Sequence, residues 1–153
     1  MVKKIIKKIL IKLKIYSVPQ QKEIKSNIDK INKGENVRFM GENVIDAVNP
    51  QLISIGNNCV IGVRSSILTH CPIRGGLKVS IGNYVWLGFG VYILPDAKIG
   101  NNTIVGAASI VTKKFPDNVI LVGNPARVLR TLTNDEIKHL QYRLKNKIPM
   151  GKV

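Results

Sequence analysis

Branched apolar residues recur with a period of six through the middle of the chain. The period holds in two series, which are separated by one irregular stretch. The series comprise Ile55, Ile61, Ile67 and Ile73, and then Ile81, Leu87, Ile93, Ile99, Val105 and Val111. Small or branched residues stand four positions after them, among them Cys59, Ser65, Cys71, Val85, Val91, Ala97, Thr103 and Ser109. We predict that both sets of side chains point inward.

A period of six fits neither an α-helix nor a meander of hairpins, and it predicts an all-β fold, a parallel β-helix. Each hexad forms one short strand and one corner, and three hexads close a coil, so that inward residues stack from coil to coil. Glycine and asparagine supply the backbone conformations of the corners. We expect an irregular first coil over Val37–Ile53.

The two ends of the chain have a different pattern. Residues 1–16 predict a basic amphipathic helix with lysines between apolar residues at helical spacing. It can lie in a membrane interface against anionic headgroups, or pack on the protein or on a neighbouring subunit. Thr133 and Glu136 form a capping box for a C-terminal helix with an apolar face, which we expect to cover the last coil. The predicted divisions are 1–34, 35–130 and 131–153.

Charge and cysteine content narrow the partners and the compartment. The net charge is +15, which favours anionic partners such as nucleic acid, a membrane surface or a phosphate-bearing cofactor. Nucleic acid is disfavoured because no aromatic stacking platform or reading helix is evident and the charge concentrates at the N-terminus. Two cysteines without a CxxC pair predict no disulfide framework and no metal site. Lysines interrupt the apolar run that an export signal needs, so we expect a cytoplasmic protein, peripheral at the inner face of the membrane.

Three motifs in fixed order, VWLG, GAASIVTK and GNPAR, carry a resemblance to a known family. With the hexads, they make Val37–Arg130 resemble the hexapeptide-repeat acyltransferases, and most of all the sugar and polysaccharide O-acetyltransferases. The resemblance implies a left-handed β-helix, a homotrimer with active sites between subunits, and acetyl-CoA as cosubstrate without a metal. It implies acetyl transfer to a sugar hydroxyl. The basic helix of residues 1–16, which a small free acceptor would not require, predicts that this sugar belongs to a cell-surface polysaccharide or its lipid-linked precursor.

The same resemblance assigns site residues. His70 opens the break in the repeat, where relatives carry their catalytic histidine, and histidine is the usual base near neutral pH. Motif positions matching cofactor-binding residues of the family are Gly88, Phe89, Ala107, Thr112, Lys113, Arg127 and Arg130, and Trp86 matches a residue that lines the substrate groove. The sequence does not identify the group that orients the His70 ring. His139, in the predicted helix, is interpreted as a surface or packing residue.

Other functions share this fold. The γ-type carbonic anhydrases hold zinc with three histidines. This chain has two histidines, which are too few to build that site. An acetyltransferase for a nucleotide-linked amino sugar or another small acceptor, and a non-catalytic β-helix binding protein, stay open as alternatives.

Overall fold

A computed structural model describes residues 27–149, and the helix predicted over residues 1–16 lies outside the described residues. The described part contains short β-strands and one regular α-helix, α1. The strands are β1 (Asn32–Lys33), β2 (Arg38–Phe39), β3 (Val44–Ile45), β4 (Ile53–Ile55), β5 (Val60–Ile61), β6 (Ser66–Ile67), β7 (His70–Cys71), β8 (Gly75–Gly76), β9 (Val79–Ile81), β10 (Trp86–Leu87), β11 (Tyr92–Ile93), β12 (Lys98–Ile99), β13 (Ile104–Val105), β14 (Ile110–Val111), β15 (Val119–Val122) and β16 (Arg127–Thr131). A 3₁₀ turn covers Pro50–Leu52, and α1 covers Asn134–Lys145.

Three parallel sheets form the walls of a solenoid, which confirms the predicted parallel β-helix. Sheet A contains β1, β4, β9 and β12, and sheet C contains β3, β6, β11 and β14. Sheet B contains β2, β5, β10, β13 and β15, with β16 added antiparallel to β15. The chain passes through A, B and C in turn and then repeats, so each passage is one coil stacked on the preceding one.

The core is built from the predicted hexad positions. Ile61, Ile67, Leu87, Ile93 and Val105 are fully buried, at 0% exposure. Each stacks on its equivalent in the next coil, as Leu87 does between Ile61 and Val105. The period of six therefore reports residues that face a single apolar axis, where burial of branched side chains stabilises the stack.

Ile73 is the exception, and its predicted inward position is wrong: it is 92% exposed. After Ile67 the chain leaves the wall in an antiparallel hairpin of β7 and β8 and returns at Val79. Cys71 belongs to the same hairpin and is only half-buried, whereas Cys59 is buried as predicted. Because this hairpin is inserted in the coil, a residue in it can keep the spacing of six and still point away from the core.

The first coil is more regular than predicted. Strands β1, β2 and β3 pair in parallel with β4, β5 and β6, and Ile45 stacks on Ile67. The coil already includes Asn32, three residues before the predicted boundary at residue 35. Its residues aligned with Ile55 and Ile61 are Lys33 and Phe39. The spacing of six therefore continues in this coil, but these two positions do not carry branched apolar side chains.

Side-chain oxygens hold the corner between sheets A and B together. The backbone N–H of Asn57 donates to Oδ1 of Asn83 at 2.8 Å, Asn83 donates to Asn101 at 2.8 Å, and Asn101 donates to Asp117 at 2.8 Å. A side chain of each coil thus accepts a hydrogen bond from a backbone N–H of the neighbouring coil. At this turn the backbone hydrogen bonds of the sheet do not reach that N–H group. The preceding residue has to be small, since a Cβ on Gly82 would lie 2.8 Å from the backbone nitrogen of Asn101.

Substitution of Gly82 by Ala is expected to destabilise the fold by about 1–3 kcal/mol, because the added methyl group forces neighbouring coils apart. Chemical denaturation followed by circular dichroism measures the change. Ser80→Ala, on the outward side of the strand before Gly82, is the matched control and should stay within about 0.5 kcal/mol. If Gly82→Ala were as stable as wild type, the close approach of neighbouring coils at this corner would not be required for stability.

Helix α1 has the predicted capping box but not the predicted position. The N–H of Glu136 donates to Thr133 Oγ1 at 3.3 Å, and the N–H of Thr133 donates to Glu136 Oε2 at 2.9 Å. The helix lies along the outward side of sheet B, with Leu140 and Leu144 buried there in one cluster with Val60. It packs across several coils, including Ile120 of the last one, and does not cover the end of the stack, where β16 pairs with β15.

The outward sides of the three sheets differ in chemistry. Sheet A presents polar residues such as Ser80 and Lys98, and sheet B is apolar and covered by α1. Sheet C presents Val44 and Tyr92, which are 43% and 45% exposed. No element of residues 27–149 covers them, and no helix in that range is long and apolar enough to cross a bilayer.

Candidate active site

His70 and Asp46 meet beyond the ends of the sheet C strands. Asp46 directly follows β3, and His70 begins the hairpin that leaves the wall after β6. Because β3 and β6 are neighbours in parallel register, the residues that follow them lie side by side on adjacent coils.

The two side chains are directly hydrogen-bonded. His70 Nδ1 lies 2.7 Å from Asp46 Oδ2. The carboxyl group is completely buried, whereas 52% of the His70 side chain is exposed. Oδ2 also accepts hydrogen bonds from the Thr69 hydroxyl at 2.9 Å and from the backbone N–H groups of Thr69 and His70 at 2.6 and 3.0 Å. The N–H of Val48 donates to Oδ1 at 2.8 Å.

This environment keeps Asp46 ionised. Burial acts to raise its pKa, but the hydrogen bonds from the Thr69 backbone, the His70 ring and the Val48 backbone outweigh burial and hold the pKa well below its usual value. An ionised carboxylate only accepts hydrogen bonds, so in the neutral ring Nδ1 carries the proton and Nε2 has a free lone pair. The half-exposed ring can therefore take a proton from a bound hydroxyl.

A second group of predicted site residues lies at the corner between sheets B and C. The N–H of Ala108 donates to the carbonyl of Phe89 at 2.9 Å, which places Ala107 beside Gly88 and Phe89 on the next coil. A Cβ on Gly88 would lie 2.6 Å from the backbone nitrogen of Ala107. The backbones of these two corners therefore approach closely, and the Phe89 ring stands outside them, 61% exposed.

The two arginines of β16 differ in their partners. Arg127 lies opposite Val122, and its Nη1 donates only to the carbonyl of Ala126, at 2.9 Å. No carboxylate within residues 27–149 forms an ion pair with it. Arg130 instead makes two hydrogen bonds to Glu136, at 2.8 and 2.6 Å. This pairing holds the pKa of Glu136 at about 2.

Thr112 and Lys113 lie at the other end of sheet C, directly after β14. They are thus at the same ends of the strands as His70, whereas Gly88 and Ala107 precede sheet C strands. Within one chain, the His70–Asp46 pair and the positions Gly88 and Ala107, which the resemblance assigns to the cofactor, therefore stand at opposite ends of sheet C.

Known protein families and sequences resemble part of this chain. The family described as "Bacterial transferase hexapeptide (six repeats)" matches residues 78–113. The galactoside O-acetyltransferase of Escherichia coli K12 is 38% identical over 107 residues, which cover 63% of this chain and 52% of that protein. Residues 78–113 of this chain thus match the repeats of that family, and the chain is similar to sugar O-acetyltransferases.

Solved hexapeptide-repeat transferases have the same fold. A maltose O-acetyltransferase from Clostridium difficile 630 superposes with a TM-score of 0.63 at 35% identity, covering 69% of this chain and 60% of that one. A galactoside acetyltransferase in complex with coenzyme A superposes with a TM-score of 0.56 at 28% identity, covering 79% and 76%. The chain spans about half the length of the curated relatives that it matches.

Asp46 is the residue of this candidate site that the sequence did not reveal. It lies in the first coil, where the apolar period is weak and no alignment with the second coil is evident. The signal was the position of Ile45, which stands six residues after Phe39 and aligns with Ile67. With that register, the residue after Ile45 falls at the end of sheet C from which His70 emerges.

Trp86 is half-buried on the outward side of sheet B, between Val60 and Ile104. It packs against the cluster beneath α1 rather than beside His70. No group of three His, Cys, Asp or Glu residues suited to a metal ion occurs within residues 27–149.

The difference between the arginines gives a prediction for the cofactor phosphates. Arg127→Ala should raise the KM for acetyl-CoA about tenfold, because the resemblance assigns Arg127 to the cofactor phosphates and no carboxylate within residues 27–149 neutralises its charge. Arg130→Ala should change this KM less, since Glu136 already occupies that guanidinium. Steady-state kinetics with varied acetyl-CoA gives both constants, and a larger effect of Arg130→Ala would contradict this ranking.

Proposed function

We propose that this protein transfers an acetyl group from acetyl-CoA to a sugar hydroxyl, with His70 as general base. The hydrogen bond between half-exposed His70 and fully buried, ionised Asp46 carries the proposal. The galactoside and maltose O-acetyltransferases among the relatives, and the relative solved with coenzyme A, support both substrates.

The pair suits proton transfer in both directions. Acetyl-CoA supplies a thioester carbonyl as electrophile. His70 Nε2 takes the proton of the sugar hydroxyl as its oxygen bonds to that carbonyl carbon, and Asp46 stabilises the imidazolium. When the C–S bond breaks, His70 returns the proton to the departing CoA sulfur. The products are the acetyl ester and CoA, and the base is regenerated.

The outward side of sheet C supports assembly as a homotrimer. Val44 and Tyr92 are large apolar side chains that no described element covers. The catalytic pair and the Gly88–Ala107 corner stand at opposite ends of this sheet, so a neighbouring subunit against it would join the His70 of one chain to the cofactor corner of another. Each site would then need two chains.

Tyr92→Asp should therefore convert the trimer to monomers and reduce activity at least about tenfold, because the new charge would lose its hydration in an apolar contact. Size-exclusion chromatography with light scattering gives the mass. Ser80→Asp places the same charge on the outward side of sheet A and should leave both properties unchanged. A wild-type monomer, or a fully active Tyr92→Asp monomer, would contradict a shared site.

For the acceptor, we propose a large or lipid-linked glycan, such as a cell-surface polysaccharide or its precursor, acetylated at the cytoplasmic face of the membrane. The lysine-rich amphipathic sequence of residues 1–16 supports this location. Thiol release from acetyl-CoA, measured with galactosides, maltose and polysaccharide fragments as acceptors, tests the proposal. Failure to release CoA with every acceptor and to bind CoA would refute the acetyltransferase assignment.

A further inference from the structure

A cavity of about 250 Å³ lies on the outward side of sheet B, where the chain leaves the end of α1. Met40, Trp86 and Phe89 form one side of it, and Leu144 and Ile148 form the other. Met40 and Phe89 are 52% and 61% exposed, so the opening is apolar as well. The cavity lies on a different sheet from the end of sheet C where His70 emerges.

Arg38 gives this apolar cavity a charged side. It stands on the outward side of sheet B beside Val60, which in turn lies beside Trp86. The wall residues that belong to the described range 27–149 include no acidic side chain. The Nε atom of Arg38 is buried and has no hydrogen-bond partner among residues 27–149.

A buried guanidinium nitrogen without an acceptor is uncommon in folded proteins, because arginine stays charged and its N–H groups need partners. Arg130 shows the ordinary outcome in the same molecule. It also borders a surface concavity, but two hydrogen bonds to Glu136 satisfy it. Arg38 thus combines a desolvated donor with apolar surroundings, and no carboxylate in the part of the chain that the structure describes pairs with it.

We propose that this cavity binds the alkyl chain of an anionic amphiphile, with the head group paired to the guanidinium group of Arg38. The chain would lie against Trp86 and Met40, where burial of methylene groups favours binding. The volume is near the lower limit for small-ligand pockets, which suits one alkyl chain. A lipid phosphate and a fatty-acid carboxylate share this chemistry. The cavity shares Trp86 and Phe89 with the positions that the resemblance assigns to the substrate groove and the cofactor, but the proposal does not require acetyl transfer.

Trp86, the single tryptophan of the chain, lies in the cavity wall and provides the readout. We expect decyl phosphate, added as monomer to the full-length protein, to change the tryptophan fluorescence saturably with one site per chain. Arg38→Gln should weaken binding about tenfold or more, because a charge-assisted hydrogen bond is lost. Decanoate in place of decyl phosphate separates the two head groups, and the tighter ligand identifies the source.

Two controls make the result decisive. Lys98→Gln removes one positive charge from the outward side of sheet A and should bind decyl phosphate as wild type does. Decyl maltoside, which has a similar chain and no charge, should bind at least about tenfold more weakly than decyl phosphate. Equal affinity of Arg38→Gln and wild type, equal affinity for the neutral amphiphile, or no saturable fluorescence change would overturn the proposal.

Discussion

Replacement of His70 by Gln is expected to lower kcat by about 10²–10⁴-fold, because the side chain that accepts the hydroxyl proton is lost. The KM for acetyl-CoA should stay within about twofold, since His70 is proposed to act on the sugar hydroxyl and the substitution removes none of the predicted cofactor contacts. The half-exposed ring fills no part of the core, so the thermal transition should change little. Steady-state kinetics and thermal unfolding of the same preparations measure these effects.

His139→Gln is the matched control, because His139 is the only other histidine and is exposed on α1. It should have wild-type kinetics. If His139→Gln lost as much activity as His70→Gln, or if His70→Gln kept wild-type kcat, His70 would not be the base.

Asp46→Asn is expected to reduce both activity and stability. An amide can donate to Nδ1 and so favour the tautomer with the proton on Nε2, which lowers kcat by about 10²–10⁴-fold when a histidine is the base. It also replaces a buried carboxylate that accepts several N–H and O–H groups, which should reduce the free energy of unfolding by about 2–3 kcal/mol. Denaturant unfolding and single-turnover kinetics separate the two effects.

The stability effect has a defined pH dependence. The pKa of Asp46 is lowered in the folded protein, so its carboxylate stabilises the fold above the unfolded-state pKa of about 4. This contribution is lost as the pH falls towards the lower pKa of the folded state. The difference in unfolding free energy between wild type and Asp46→Asn should therefore be constant above about pH 5 and shrink below it.

Asp117→Asn tests whether these effects are specific to Asp46. Asp117 accepts a backbone hydrogen bond at an exposed corner, where Asn83 and Asn101 do the same with amide oxygens. Asp117→Asn should change stability by less than about 0.5 kcal/mol and leave the kinetics unaltered. A difference between wild type and Asp46→Asn that stayed constant down to pH 2 would contradict an ionised Asp46.

The regular coils could be predicted from the sequence because one geometric requirement, an inward side chain at each wall, repeats every six residues. Prediction failed where another requirement took over. Ile73 keeps the spacing but lies in a hairpin outside the wall, and Lys33 keeps the wall position without an apolar side chain. The position of α1 depended on β16, which occupies the end of the stack and leaves sheet B as the apolar surface available.

The candidate site could likewise be predicted only in part. His70 could be predicted because it stands at the break in the repeat and matches a family position. Asp46 could not, because contact between residues separated by 24 positions depends on the register of two coils. The left-handed winding and the trimer stay predictions.

The hydrogen bond between Asp46 and His70 also joins the first coil to the second. In a solenoid each coil contacts only its neighbours, and the coils at the ends open more readily than those in the middle. Local opening of the first coil would withdraw Asp46 from His70 while the later coils stay folded. The ability of His70 to act as a base thus depends on how often the first coil opens. Amide hydrogen exchange in β3 would measure that opening directly.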